Sequence, residues 1–456
     1  MRDIPFILFL AGLLAMGFRR PFLFVLAYAY IDIVSPQRLT YLLLNSLPIS
    51  LITVALAVLS WIAVDDKRDV RLAPRQLLLL MLLGYCYYTT VYADFPVDAQ
   101  YKWEWVWKAL AFAIFLPLTL RTKLRIEALL LFMVLSAATL IITGGLKTLL
   151  SGGGYGELNL MVNNNSGLYE GSTISTVAIA IIPLILWFSR FGTIYKPNRL
   201  VQLFCYCLIF ACLLIPVGTS TRTGLLCIGL LAALMLRDVK RKLVYLGAAG
   251  MLGLLAIPFL PAEFTARMGT IKTYQADASA STRLAVWQWT FDYVQDHPMG
   301  GGFEAYRQNR IRYDKVSVET SGNVSTVKRE LELDQARAYH SAYFEMLGEQ
   351  GWPGLFLWLA IGLGGLFRME VLRQRYRKPE AGEEWIAPLA SSLQIAHIIY
   401  LFGATFVAIA FQPFVFMLIG AQIGLDTYCA RHHAHKNWRP IRKPRARAAP
   451  VPVAAQ

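Results

Sequence analysis

The chain has 456 residues, of which 56% are hydrophobic and only 16% are charged, and its formal net charge is +15. A soluble domain usually carries about a quarter charged residues, so this composition and the long apolar segments exclude a soluble enzyme and a disordered scaffold. Most of the basic excess lies in short loops and in the C-terminal tail, which is typical of the cytoplasmic side of membrane proteins. We therefore expect no nucleic-acid partner.

Long apolar segments follow one another along the chain. A membrane-spanning helix needs about twenty predominantly apolar residues, and the two N-terminal segments are short enough to form a hairpin or one span plus an interfacial piece. The candidates are 5–18, 21–34, 47–64, 75–93, 106–120, 127–147, 172–189, 200–217, 223–236, 243–260, 352–368, 387–408 and 412–426. We predict an all-α, polytopic membrane protein with about 12 transmembrane helices (12–13).

Basic residues follow every second apolar segment, and the positive-inside rule assigns those loops to the cytoplasm. The outward loops are then 94–105, 148–171, 218–222 and the much longer 261–351. Four regions are predicted in chain order: an N-terminal transmembrane bundle (1–260), a large outward loop with the catalytic region (261–351), C-terminal transmembrane helices (352–426) and a basic cytoplasmic tail (427–456).

The long outward loop has helical periodicity. After Ser281 and Thr282, apolar residues recur at helical spacing as far as Pro298, which predicts an amphipathic helix followed by a turn at Gly300–Gly302. A second helix is predicted to begin near Ser341 and to break at Gly351–Gly354, where the next span begins. The middle, roughly 311–330, is polar, and we expect it to be mobile.

Two outward arginines indicate an anion site. Arg222 lies at the start of span 223–236, where a charge is costly unless it snorkels or meets an anion, and snorkelling arginines prefer the cytoplasmic face. Arg283 begins the amphipathic helix, where a cation opposes the helix macrodipole but suits a bound anion. The alternative for Arg283 is a surface residue paired with Asp277 or Asp292.

His340 begins the second helix and is the candidate base. Histidine exchanges a proton near neutral pH without special tuning, although a single histidine at a helix start is often a cap or a packing residue. The loop assignment puts Arg222, Arg283 and His340 on one face, where two cations and a base suit an anionic lipid-linked substrate. Arg267 and Arg337 are weaker candidates for the same anion site.

Other polar residues have weaker support. His297 is predicted to cap the amphipathic helix and His397 to be a satisfied interior histidine. The tail histidines His432, His433 and His435, and the acidic pairs Asp94 with Asp98 and Glu332 with Asp334, resemble metal ligands only by spacing. We predict no metal and no cofactor.

The motifs together resemble one known family. STRTG at the head of a span, STRLAVWQWTFDYVQDHPMGGG in the outward loop and AYHSAYFEMLGEQGWPGL before the next span are similar to the bacterial O-antigen ligase and polymerase superfamily. The resemblance covers the overall layout and is most specific in 218–224 and 281–354. Within the superfamily, the chain looks most like the O-glycosylation ligases associated with exosortase systems.

This resemblance implies a C-type glycosyltransferase-like bundle in the bacterial inner membrane, with the active site facing the periplasm. It implies transfer of a glycan from undecaprenyl diphosphate to a hydroxyl of a protein or of lipid A-core, without a metal and with inversion. Arg222 and Arg283 match the diphosphate-binding arginines, and His340 matches the catalytic histidine. Ser341 follows where asparagine is common, which puts a role for that amide in doubt.

Other functions remain open from the sequence. A polymerase that lengthens the glycan would use the same donor, whereas a flippase of lipid-linked glycans would need no outer base. A purely structural role leaves the outward arginines without an explanation. The expected partners are the undecaprenyl diphosphate-linked donor, a protein or lipid A-core acceptor, and membrane lipids. We also expect Trp287 and Trp289 to close over the site or to rest on lipid.

Overall fold

The computed structural model describes residues 3–40, 44, 47–68, 70, 72–151, 167–237, 278–321 and 324–437, with a few residues between 241 and 251. The first helices are α1 (Asp3–Gly17), α2 (Phe22–Val34), α3 (Pro36–Leu39), α4 (Ile49–Val64), α5 (Pro74–Val91), α6 (Pro96–Thr119) and α7 (Lys123–Ser151). They are followed by α8 (Gly171–Phe191), α9 (Arg199–Gly218), α10 (Arg222–Met235), α11 (Ala278–Asp296), α12 (Ala342–Arg375), α13 (Ile386–Gly403) and α14 (Pro413–Asn437). A short 3-10 turn (Ala305–Gln308) leads into strands β1 (Arg310–Ser321) and β2 (Val324–Gln335).

The fold is the predicted all-α, polytopic membrane type. Within the described ranges, six helices (α7, α8, α9, α12, α13 and α14) are long and apolar enough to cross a membrane, and α1, α2, α4 and α10 are shorter apolar helices. Helices α5 and α6 also cover predicted spans. Most of predicted span 243–260 lies outside the described residues, so the count of 12–13 spans stays a prediction.

Loops predicted to be cytoplasmic meet at one end of the bundle. Arg125 forms a two-pronged ion pair with Asp65, with both N–O distances at 2.6 Å. At the same end, Arg431 of α14 donates to the carbonyl of Leu120 at 3.1 Å. These contacts join the ends of four helices through basic residues. The loops after α4 and α6 and the end of α14, all predicted to be cytoplasmic, therefore lie together, and the alternation along the rest of the chain stays a prediction.

Helix α8 occupies the centre of the bundle, whereas α9 has an open face. Nearly every residue from Thr173 to Ser189 of α8 is buried, and α8 packs against α9, α10 and α13. On α9, Leu200 and Leu203 are 76% and 59% exposed. Large apolar side chains on one helix face are expected where a membrane protein meets lipid acyl chains.

The predicted glycine turn is present and packs against the predicted break in α12. Gly300 and Gly302 have φ values of 84° and 77°, which favour glycine because no Cβ is present. The N–H of Gly302 donates to the carbonyl of Glu349 at 2.9 Å. Beside this contact, Gly351 has a φ of 61° and interrupts the helical conformation of α12.

Most of segment 311–330, which the sequence analysis treated as a polar and mobile stretch, lies in an antiparallel β-hairpin. Strands β1 and β2 pair from Arg310 opposite Gln335 to Ser321 opposite Val324. Their sequences KVSVE and ELEL alternate apolar and polar residues with a period of two, which favours a strand with two different faces. The outward loop therefore contains a hairpin as well as helices, and β1 packs against α11.

Candidate active site

His340 lies in a sharp backbone turn directly before α12. Its φ is 49°, in the left-handed region that non-glycine residues rarely adopt, and its side chain is exposed. The neighbouring Tyr339 is buried, and Ser341 occupies the N-cap position of α12. Strain of this kind persists only where the surrounding structure holds it. The turn presents the imidazole at the outward end of the bundle.

Helix α11 holds this turn in place through Trp287. The indole Nε1 of Trp287 donates a hydrogen bond to the carbonyl of Tyr339 at 3.0 Å. The same ring stacks on Phe344 of α12, with ring centres 4.8 Å apart and an interplanar angle of 5°. Trp289 stacks instead on Tyr293. Trp287 therefore fixes the His340 turn, and the expectation that the two tryptophans close over the site or rest on lipid stays a prediction.

A buried asparagine holds the chain on the other side of the turn. The side-chain amide of Asn309 donates to the carbonyl of Arg337 at 2.7 Å, and its oxygen accepts from the N–H of Arg337 at 2.9 Å. Asn309 is 1% exposed. The Arg337 guanidinium pairs with Asp334 at 2.6 Å. This backbone clamp orders the segment that connects β2 to His340.

Three charged side chains affect the pKa of His340. Partial burial and the positive charges of Arg283 and Arg337 lower the pKa of the His340 imidazole, and the carboxylate of Glu170 opposes them. The structure thus brings together Arg283, Arg337 and His340, three of the residues predicted from the sequence. Because its pKa is lowered, the imidazole is neutral at neutral pH and able to accept a proton.

Glu170 is a site residue that the sequence interpretation missed. It is the N-cap of α8, where its carboxylate accepts from the N–H of Thr173 at 2.6 Å and from its hydroxyl at 2.8 Å. These bonds fix the carboxylate at the outward end of the central helix. The signal was an acidic residue directly before Gly-Ser-Thr in an outward loop, which is a helix-start pattern.

Arg222 lies at the same end of the bundle, because the start of α10 is hydrogen-bonded to α8. It is the first residue of α10, after the N-cap Thr221. Thr221, Thr219 and Ser175 form a hydroxyl network with O–O distances of 2.9 to 3.1 Å. Through this network the N-terminus of α10, with Arg222, is joined to the first turn of α8, which Glu170 caps.

Helix α13 connects α8 to the His340 turn. Gly403 contacts Thr176 of α8, and the carbonyl of Ala404 accepts from the N–H of Ala342 at 2.8 Å. The hydroxyl of Tyr343 also donates to the carbonyl of Leu401 at 3.0 Å. The segments of Arg222, Glu170 and His340 are therefore packed into one region of the outward end.

A buried ion cluster lies on the other side of the turn. Lys102 of α6 donates to Glu345 at 2.7 Å and to both oxygens of Glu349 at 2.9 Å. The two carboxylates also accept backbone N–H groups, Glu345 from Ala410 and Glu349 from Glu304, each at 3.0 Å. Such a cluster persists because its buried charges are paired and hydrogen-bonded. The sequence signal was a glutamate pair at i and i+4 on α12.

The remaining predicted residues have other positions. Arg267, and Asp277 as a partner for Arg283, lie outside the described residues. His297 directly follows α11, and its ring Nδ1 lies 3.3 Å from the carbonyl of Tyr293, as a helix cap would. His397 is buried and bonded to Gln422, as predicted for an interior histidine. Asp94 accepts from Tyr293 at 2.5 Å and from Gln308 at 2.7 Å. In the part of the chain that the structure describes, no group of three His, Cys, Asp or Glu side chains could hold a metal ion.

Among the described residues, the side chain of Ser341 forms no hydrogen bond that could orient His340. Its Oγ is buried and has no hydrogen-bond partner among the described residues. The backbone clamp of Asn309 and the indole of Trp287 hold the turn instead. The site thus combines a histidine of lowered pKa with the positive charges of Arg283 and Arg337, an arrangement able to bind an anion and deprotonate a hydroxyl.

Two family models match parts of the chain. Residues 206–359 match the model of a family described as O-antigen ligase, and residues 1–193 match a family of unknown function, DUF5935. No curated protein matches the chain. The first match includes Arg222, Arg283, Arg337 and His340, and it confirms the resemblance to the O-antigen ligase superfamily inferred from the sequence.

Proposed function

We propose that this chain, which belongs through residues 206–359 to the O-antigen ligase superfamily, transfers a glycan from undecaprenyl diphosphate to an acceptor hydroxyl. The reaction takes place at the periplasmic face of the bacterial inner membrane. The acceptor hydroxyl belongs to a protein, as in the exosortase-associated O-glycosylation ligases, or to lipid A-core. The observation that carries the proposal is the grouping of Arg283 and Arg337 with His340, whose imidazole pKa is lowered by burial and by these two positive charges.

Arg222 and Arg283 bind the donor diphosphate. A guanidinium remains charged at any physiological pH and presents a planar fork of donors that matches phosphate oxygens. Arg222 is the first residue of α10, and Arg283 lies in the second turn of α11. Positions near the starts of helices in the predicted outward region would allow the lipid tail to remain in the membrane. As the bond from the sugar to phosphate breaks, negative charge grows on the leaving diphosphate, and fixed guanidinium groups stabilise it.

His340 acts as the general base. The acceptor oxygen attacks the anomeric carbon and its proton passes to the imidazole, while the bond to the donor phosphate breaks and undecaprenyl diphosphate leaves with the electron pair. A single displacement of this kind inverts the anomeric centre. The arginines supply the charge stabilisation, so the proposed reaction needs no metal ion. Proton acceptance requires a neutral imidazole, which the lowered pKa of His340 provides.

Glycan pools of a deletion strain test the proposal. If the chain is a ligase, undecaprenyl-linked glycan of normal length accumulates and one acceptor pool, protein-linked or lipid A-linked, becomes empty. Accumulation of single repeat units alone would identify a polymerase. Unchanged pools would contradict transfer altogether.

Complementation of the deletion strain with variants tests whether the changes in the glycan pools depend on the candidate active site. We expect Arg222→Gln, Arg283→Gln and His340→Asn to leave the deletion phenotype uncorrected at wild-type protein levels. Arg310→Gln is the matched control, because Arg310 is an exposed arginine of the same outward region at the start of β1. Full restoration by the His340 variant would contradict the role of the base.

A further inference from the structure

A polar cavity of about 360 Å³ lies beside the His340 turn, between α6, the 3-10 turn and the start of α12. Ligand-binding pockets span about 300–1,000 Å³, so this volume suits a small ligand or one unit of a larger one. One face of α6 supplies Asp98, Tyr101, Lys102 and Trp105, which recur at helical spacing. The opposite wall consists of Glu304, Tyr306, Arg307, Tyr339, Glu345 and Glu349.

The floor of the cavity is rigid and its rim is accessible. The buried cluster of Lys102 with Glu345 and Glu349 forms the floor. At the rim, Arg307 pairs with Asp98 at 3.2 Å, and their side chains are 43% and 38% exposed. A ligand entering from outside therefore meets solvated, adjustable charges first and fixed charges at the bottom.

The charge of the lining disfavours a phosphate. Four carboxylates face two cations in the lining: Asp98, Glu304, Glu345 and Glu349 against Lys102 and Arg307. The two cations are already paired with these carboxylates. A net negative cavity repels a diphosphate, whereas it offers many acceptors to the hydroxyls of an uncharged ligand.

Aromatic rings complete the lining. Tyr101, Trp105, Tyr306 and Tyr339 combine flat apolar faces with polar edges. Tyr339 is 1% exposed, and its hydroxyl has no hydrogen-bond partner among the described residues. Flat rings next to carboxylates match a pyranose ring, which has C–H faces and an equatorial belt of hydroxyls.

We propose that this cavity is a subsite for an uncharged saccharide ring. The inference rests on the proposed function, because it assigns the sugar to one of the two glycan-bearing substrates. Tyr339 lines the cavity, whereas the adjacent His340 belongs to the cluster of Arg283 and Arg337. The proposal thus assigns the donor diphosphate to the arginines near His340 and the saccharide to the cavity that Tyr339 lines. Where the acceptor is lipid A-core, the cavity holds the acceptor glycan, since its hydroxyl must reach His340 from the side away from the leaving group.

Calorimetric titration of the purified full-length protein in detergent tests the subsite. Two probes are used: core oligosaccharide released from lipid A by mild acid, and donor glycan released from the undecaprenyl-linked pool and freed of phosphate. We expect at least one probe to bind the wild type and to bind Trp105→Ala and Asp98→Asn at least about tenfold more weakly. Trp105→Phe retains an aromatic face and should recover most of the affinity.

Matched controls lie on the same helix outside the cavity. Trp107→Phe and Glu104→Gln change the same residue types on α6, and we expect both to bind the probes as the wild type does. If the core oligosaccharide is the probe whose binding depends on Trp105, the cavity holds the acceptor. If only the phosphate-free donor glycan shows that dependence, the cavity holds the sugar of the donor.

Different binding results would contradict the saccharide subsite and the proposed donor site. Absence of binding for both probes, or equal binding by wild type and Trp105→Ala, overturns the subsite. Undecaprenyl diphosphate titrated into the same preparations should bind more weakly to Arg283→Gln and equally to Trp105→Ala. If Arg283→Gln binds undecaprenyl diphosphate as well as the wild type does, while saccharide binding is unchanged, the proposed donor site is wrong and the cavity assignment remains valid.

Discussion

The indole Nε1 of Trp287 donates a hydrogen bond to the carbonyl of Tyr339 at 3.0 Å, one residue before the candidate base. This bond connects α11, which carries Arg283, to the turn that presents His340. The arginine and the histidine are therefore positioned by one packed unit, although they are 57 residues apart in the numbering.

Loss of this hydrogen bond should affect turnover more than folding. Trp287→Phe keeps an aromatic ring to stack on Phe344 but removes the donor, and a hydrogen bond of this kind contributes about 1 kcal/mol net. An increase of that size in the reaction barrier corresponds to a fall in kcat of glycan transfer of about 3- to 10-fold. We expect thermal stability to change little. Trp289→Phe is the matched control, because Trp289 stacks on Tyr293. Equal effects of the two substitutions would show that the bond to Tyr339 has no specific role.

Replacement of the base should abolish transfer without disturbing the turn. Asparagine tolerates the left-handed conformation of His340, where alanine would add strain, so His340→Asn separates chemistry from folding. General base catalysis contributes about 10²- to 10⁴-fold, and we expect a loss in that range. Transfer in membranes is measured against His297→Asn, which changes a histidine of the same loop and should remain active. An active His340→Asn would identify another residue as the base.

The acid limb of the pH profile of glycan transfer should shift in opposite directions in Arg337→Gln and Glu170→Gln. Arg337 lowers the pKa of His340 and Glu170 raises it. Transfer declines as pH falls through that pKa, because the protonated imidazole accepts no proton. Arg337→Gln raises the pKa and should shift the acid limb to higher pH, whereas Glu170→Gln should shift it to lower pH. Arg310→Gln serves as the control, and shifts in the same direction for both variants would contradict His340 as the titrating group.

Donor binding should depend on the shape of the guanidinium as well as on its charge. Arg283→Lys keeps the cation but loses the fork of donors, so we expect a smaller loss than in Arg283→Gln. The measurement is the KM for the lipid-linked donor together with kcat in membranes. Equal activity of the lysine and glutamine variants would indicate that charge at this position is irrelevant to the diphosphate.

The buried ion cluster should support stability. Lys102→Met leaves Glu345 and Glu349 facing each other without a cation, and removal of one partner from a buried pair costs about 3–5 kcal/mol. We expect a marked fall in the thermal midpoint of the detergent-solubilised protein. Lys196→Met, an exposed lysine in the loop before α9, is the control. An unchanged midpoint for Lys102→Met would mean that the carboxylates find protons or other partners at no cost.

Local patterns predicted the elements around the site well. The amphipathic helix predicted after Ser281 is Ala278–Asp296 in the structure, so it begins three residues earlier than predicted and ends shortly before Pro298. Proline acts on the nearest turn of backbone, so the end of the helix was the better predicted boundary. Ser341 and Gly351 likewise bounded the first part of α12. The hairpin was missed because its alternation with a period of two was interpreted as a polar loop, and pairing between β1 and β2 is needed to turn that alternation into structure.

The sequence by itself determined the membrane class, the alternation of loops and the identity of the arginines and the histidine, since these depend on residue type and local spacing. Only the tertiary structure decided that Glu170 opposes Arg283 and Arg337 at His340. It also decided that Lys102 meets Glu345 and Glu349 more than 240 residues later in the chain. Local spacing contains no information on such contacts, because they depend on how distant helices pack and on which buried charges must be paired.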